Sequence, residues 1–346
     1  MNELILKKGE LKSFLEAIAS RYSLFVPGMV DGIASFVPYD GQAEVPSEKI
    51  RPRLSVKGFF HPQREDMFRF TTKPGEADCN ILKPVMPNRQ TAVFGVSSCD
   101  ARSVVLNALV FTNDPTNPNQ CPYYKARTDQ TVLIGLGCSQ PCVQCFCHAV
   151  GGHPFGEEGL DLILTDLGES FLVKVLTEKG SQVASLKEMA KASTEEVEKA
   201  SAIAQQARQG MPKGFKLGQP ASQDLMKLFN LPIWEEIAAR CLNCGVCTYL
   251  CPTCYCFDIL DETQGYEGIR FRIWDSCMYP LYTLHASGHN PRPTKAARLR
   301  NRFMHKLKYF PDRYKGKVSC VGCGRCIIYC PVNIDIREVA AAMKAD

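Results

Sequence analysis

Two runs of cysteine in this chain share one spacing. Cys241, Cys244, Cys247 and Cys251, followed by Pro252, fit C-x2-C-x2-C-x3-C-P, and Cys320, Cys323, Cys326 and Cys330, followed by Pro331, fit it again. Three thiolates on a tight loop can reach three corners of one 4Fe-4S cubane, while the fourth, set back by three, ligates a second cubane. The crossing assigns a first cluster to Cys241, Cys244, Cys247 and Cys330. The second takes Cys320, Cys323, Cys326 and Cys251. A zinc ribbon needs four thiolates at one tetrahedral ion, which leaves the third and fourth cysteine of each quartet unexplained.

The remaining chemistry-bearing cysteines fall into two groups. Cys99 in "SSCDAR", Cys138 in "GLGC", and Cys142, Cys145 and Cys147 in "CSQPCVQCFCHAVGG" all follow strand-like runs, where the loops of an α/β sheet converge. Cys99, Cys138, Cys145 and Cys147 are the set chosen for a third cubane, with Cys142 in reserve; buried inert thiols are the plainer alternative. "CFCH" is not a haem site, because covalent haem needs C-x-x-C-H. Cys254 and Cys256, with Cys277 in "WDSCMYP", are left over from the ferredoxin pattern. They form a further site, with His285, His289 or His305 as fourth ligand, or they are core residues that tune the second cluster.

These cysteines need elements to position them. "TAVFGVSSCDARSVVLNALVF" reads as a strand over Thr91–Val96, a turn at Ser97–Asp100 and a helix to Phe111. "TVLIGLGC" is a second buried strand ending at a cysteine, and "LDLILTDLGESFLVKVLT" holds two more around Leu167-Gly168. Residues 183–209 are rich in Ala, Glu, Lys and Gln, with a helix start at Ser193–Glu196, and read as a solvated helical connector. "GMPKGFKLGQPAS" follows as linker. The fold class is therefore α+β: an α/β domain over 1–182 with an additional iron-sulfur site, a connector and linker over 183–222, and a mostly helical domain over 223–346. The insert between the quartets, with runs such as "TKAARLRNRFMHKLKYF", resembles the layout of the α-helical ferredoxin fold.

Composition narrows the function classes. The chain has 346 residues, 18 cysteines and a net charge of +5. Cysteines two or three apart in so long a chain point to metal rather than a disulfide scaffold. The basic run 291–317 reads as a solvated face, an offset to negatively charged clusters, or a dock for an acidic partner; no aromatic and basic platform marks a nucleic acid binder. Lys7, Lys8, Glu10 and Lys12 interrupt the start, and no window reaches the length of a membrane span, so the expectation is a cytoplasmic chain. There is no G-x-G-x-x-G fingerprint and no P-loop.

"GVSSCDAR", "GC...CFCHAVGG", "CLNCGVCTYLCPTCYCFD", "WDSCM", "SGHNPR" and "CVGCGRCIIYCPV" resemble the iron-sulfur β subunit of sulfhydrogenase-type cytoplasmic nickel-iron hydrogenases and the A subunit of anaerobic sulfite reductase. The resemblance runs from about residue 90 onward; the first ninety residues match nothing so familiar. It implies an electron-transfer subunit between a flavoprotein that oxidises or reduces NAD(P)H and a hydrogenase, sulfite reductase or heterodisulfide reductase subunit. It also implies a cluster at Cys99, Cys138, Cys145 and Cys147. A substrate-reducing site within the N-terminal half is the competing reading.

Overall fold

Continuous apolar runs at β6 (Thr91–Val96), β7 (Thr131–Leu136) and β8 (Leu162–Asp166) form the centre of an eight-stranded sheet. The computed structural model describes residues 3–41, 51–114, 118–213, 217 and 219–344. β6 pairs in parallel with β7, and β7 with β8, in registers that set Ala92 against Val132 and Ile134 against Leu162. Strands apolar on both sides belong where both faces are covered. The helices Leu11–Ala19 and Glu178–Ala184 cover one face through a core containing Phe14, Ile18 and Val183. Ser98–Phe111 covers the other through Ala101 and Val104.

The flanking strands are β1 (Glu3–Lys7), β2 (Ser23–Val30), β3 (Ile33–Pro38), β9 (Ser170–Val175) and β10 (Ala190–Lys191). They complete the order β10-β1-β9-β8-β7-β6-β2-β3. The helix Thr194–Gln209 starts on a capping box between Ser193 and Glu196. It is more than a solvated connector, because Ala200 and Ala207 are buried in the cores beside the sheet. Small residues on one face of an otherwise polar helix allow that close packing, which composition alone hides. The linker 210–222 lies partly outside the described residues.

A second, antiparallel sheet joins distant parts of the chain. β4 (Arg64–Thr71) and β5 (Lys83–Pro84) come from the first hundred residues, whereas β11 (Phe257–Gln264) and β12 (Glu267–Trp274) lie in the insert between the quartets. The order is β11-β12-β4-β5. The helical reading of the insert is thus corrected over Phe257–Trp274, where alternating residues close a hairpin across Gly265-Tyr266. Helix is confined to the later part of the insert, where Lys295–Met304, a π-helical turn His305–Tyr309 and Phe310–Arg313 follow without a break. With Ile233–Arg240 and Ile336–Ala342 they bury a core of Trp234, Leu299, Phe303, Leu307 and Val339.

Candidate iron-sulfur sites

The two quartets adopt the same backbone. Asn243 and Gly322, between the first and second cysteines, have φ of 60° and 65°, and Gly245 and Gly324, between the second and third, both have φ of 75°. Each second glycine caps a single helical turn, Val246–Tyr249 or Arg325–Ile328. The left-handed residues bend the loop so that backbone N–H groups turn towards sulfur. Asn243 donates to Cys241 Sγ at 3.3 Å and Gly322 to Cys320 Sγ at 3.4 Å, while Ile334 donates to Cys330 Sγ at 3.2 Å. Such bonds favour the thiolate a cluster requires.

The quartets exchange their fourth members. Cys241, Cys244, Cys247 and Cys330 line one cavity, joined by Cys326. Cys251, Cys320, Cys323 and Cys326 line a second. Cys326 and Arg302 stand in the walls of both cavities, so the two spaces are neighbours.

Two buried cations, Arg302 and Lys306, stand beside these thiols. Arg298, Arg302 and Lys306, spaced by four on one helical face, are all buried. Arg302 donates to the Cys247 carbonyl at 3.1 Å, and its buried Nε has no hydrogen-bond partner among the described residues. Lys306 Nζ reaches Cys251 Sγ at 3.3 Å, Thr253 Oγ1 at 3.0 Å and the Ser319 carbonyl at 3.1 Å. Burial alone would lower the Lys306 pKa, but the Cys251 and Cys254 thiolates hold it above the ordinary lysine value. Burial pushes the Cys320 thiol up to about 12, against the pull of Lys306. Thiols so buried ionise only against positive charge, which iron and this basic stripe both provide. Donor type, N–H to sulfur bonds and the orphaned Arg302 nitrogen all fit a cubane in each cavity.

The third group gathers beyond the carboxyl ends of β6 and β7. Cys99 lies in the first turn of Ser98–Phe111, which starts earlier than the turn expected at Ser97–Asp100 because the Ser97 carbonyl already accepts from Asp100 and Ala101. Cys138 follows β7, and Cys147 begins the 3-10 turn Cys147–Val150. These three, with Cys142 and Cys145, line one cavity. Cys142 and Cys145 are joined sulfur to sulfur. The nominated ligand and its reserve therefore occupy one place, since three residues of separation in a tight loop bring both sulfurs to the same side. Burial pushes the Cys147 thiol up to about 12, with Cys99 and Cys138 adding to the effect.

This cavity abuts the second one. Phe146 donates its N–H to the Gly322 carbonyl at 2.8 Å, and a Cβ on Gly322 would stand 2.5 Å from Phe146 backbone atoms. Arg51 donates to Cys142 and Cys145 Sγ at 3.3 and 3.2 Å and also to the Cys323 carbonyl. Arg325, buried beside Cys326, pairs with buried Asp100, one residue after Cys99, at 2.8 Å. Loop 142–147 thus rests on loop 320–326.

The leftover cysteines split. Cys254 lies beside Cys251, and Cys256 beside Cys277, each pair close enough for one thiol to perturb the other. His305 is held by the Tyr255 hydroxyl at 2.8 Å, and His285 and His289 pack ring to ring with centroids 5.3 Å apart. Cys79 and Cys121 line none of the three cavities. Spacing gave no signal for Arg51, Lys57 or Arg325, whose partners around the cysteines lie 91 to 272 residues away in sequence. Lys306 stood in a run that also fits a solvated face; the i, i+4 spacing of Arg298, Arg302 and Lys306 was the available clue.

A 4Fe-4S dicluster domain matches residues 240–334. Sulfhydrogenase 2 subunit beta of Pyrococcus furiosus is 33% identical over 297 residues, 84% of this chain and 83% of the relative. No solved structure matches the chain significantly.

Proposed function

The chain belongs to the family of sulfhydrogenase-type iron-sulfur β subunits, and from that membership we propose that it relays single electrons between a flavoprotein acting on NAD(P)H and a separate hydrogenase or reductase subunit. The observation that carries the reading is the contiguity of three cysteine-lined cavities. The first shares Cys326 and Arg302 with the second, and the second shares the Gly322 loop with the third.

A 4Fe-4S cluster changes charge by one per electron, and bound in each cavity it supplies one-electron transfer. Cys241, Cys244, Cys247 and Cys330 would hold the first; Cys320, Cys323, Cys326 and Cys251 the second; Cys99, Cys138, Cys147 and either Cys145 or Cys142, once the bond between those two is reduced, the third. The protein's own residues set the order and the ends. Cys251, Cys320 and Cys323 are all buried, so the middle position is shielded from water. Cys244 is exposed at one end, and Val143, 76% exposed, marks the other. Partners therefore dock at opposite ends of the line. Lys306, Arg302 and Arg51 favour the more negative, reduced state at each position they touch.

Affinity capture of the tagged chain from anaerobic extract of its native host tests the proposal. The expected result is co-purification of a flavoprotein and a hydrogenase or reductase subunit. Recovery of a lone chain with substrate-reducing activity of its own would overturn it and favour a catalytic N-terminal site.

A further inference from the structure

Three cysteines near the second cavity belong to no quartet, and two of them are brought together by the hairpin. β11 and β12 close with Phe257 opposite Trp274, and Asp275 donates its N–H to the Cys256 carbonyl at 3.0 Å. Cys277, two residues beyond the Asp275 that pairs with Cys256, is thereby brought beside it, near enough for each thiol to perturb the other. Both are free thiols in the structure, Cys277 buried and Cys256 half-buried. The Tyr282 hydroxyl stands in the same neighbourhood as the Cys256 sulfur. Cys254 turns instead towards Cys251, so the pair stands one thiol away from the second quartet.

The surroundings suit sulfur that changes charge. Lys57 is buried over the Trp274 ring at 3.7 Å and donates to the Tyr249 and Cys254 carbonyls at 3.3 and 3.1 Å. Lys306 donates to Cys251 in the same cysteine stretch at 3.3 Å. A fourth cubane would need a fourth ligand beside Cys254, Cys256 and Cys277. His305 is engaged by Tyr255, and His285 pairs with His289.

We propose that Cys256 and Cys277 form a redox-active dithiol that stores an electron pair beside the one-electron relay. The proposal rests on the relay reading, through the place of Cys251 in the second quartet. Oxidation takes two electrons and two protons from the two thiols and forms one S–S bond, the electrons leaving singly to oxidised iron-sulfur carriers. Reduction by two electrons from reduced carriers of the same class, with two protons from water, breaks that bond and restores both thiols. The pair would match a donor that delivers electrons two at a time to carriers that move one.

The test uses the full chain purified anaerobically with its iron intact. Samples poised with redox mediators are quenched in acid, alkylated, reduced and alkylated again with an isotopically heavier reagent, and the Cys256 and Cys277 peptides are quantified by mass spectrometry. The expected result is joint conversion of both thiols, tenfold for each ~30 mV as a two-electron couple requires. Cys277→Ser should abolish the conversion and leave iron per chain unchanged. Thiols that stay free at every potential while iron is retained would overturn the proposal. So would loss of about four irons in C277S, which would assign these residues to a fourth cluster. If the variant does not fold, the wild-type titration alone decides. Iron and sulfide measured on the same samples report the relay separately, so a failed relay appears as missing iron and a failed dithiol as unpaired sulfur with iron present.

Discussion

Lys306 places a buried ammonium 3.3 Å from Cys251 Sγ, on the π-helical turn that interrupts the longest helix of the C-terminal half. Such turns often occur at functional positions because they shift a side chain out of helical register. A positive charge there stabilises the reduced second cluster more than the oxidised one. Lys306→Met should therefore make its midpoint potential more negative by about 60–130 mV, the one-electron equivalent of a charged hydrogen bond of about 1.5–3 kcal/mol. A redox titration followed by electron paramagnetic resonance measures it; an unchanged or raised potential would contradict the assignment. His61 carries a different prediction. It is fully buried among Phe111, Phe257 and Trp274, and burial, then the charge of Arg272, lowers its pKa to about 3. The unfolded chain takes up this proton near pH 6.5 and the folded chain does not, so the stability that His61 contributes is complete above that pH and falls as pH drops towards 3. Between pH 6.5 and 5 the loss should be about 2 kcal/mol. Denaturant unfolding of wild type and His61→Leu over that range should show the steeper decline in wild type, with any acid loss of iron entering both curves. Parallel curves would contradict it. Of these residues the sequence revealed the thiols but not their charges, because cluster ligands are fixed by local spacing while Lys57, His61 and Arg51 act across long sequence separations.

The elements that hold the site are short loops anchored by longer pieces. Arg325, in the turn after Cys323, makes a two-pronged contact with Asp100 in the first turn of Ser98–Phe111 and donates to the Pro52 carbonyl at 3.0 Å. Both charged groups are buried. Removing one partner of a buried ion pair typically costs about 3–5 kcal/mol, because the other charge is left unpaired. Arg325→Met should reduce global stability by that order, and its unfolding midpoint in denaturant should fall accordingly. A midpoint equal to wild type would show that the two loops are held by other contacts. The strands carrying Cys99 and Cys138 were legible from their continuous apolar runs, and the helices near the second quartet from their periodicity. The hairpin Phe257–Trp274 was not, since β11 is largely exposed and β4, the other partner of β12, lies almost two hundred residues earlier. Nor did spacing separate Cys142 from Cys145, two sulfurs that reach the same point.

At the scale of the molecule, the sheet and the helical region meet at the cysteines. β12 pairs along its length with β4, and Arg272 on β12 joins Arg127 in gripping buried Glu65, with nitrogen to oxygen distances of 2.7 Å. The second sheet thus ties the insert to the N-terminal half while loop 142–147 rests on loop 320–326. That construction keeps three cavities in contact, which a flexible linkage between halves would not. On the proposed relay, each of these cavities holds a cubane when loaded, the three in a single line. Iron and acid-labile sulfide counted per chain on anaerobically purified protein test it most directly. The account predicts about 12 of each. About 8 would remove the third site from the line, and zinc without sulfide would contradict the account outright.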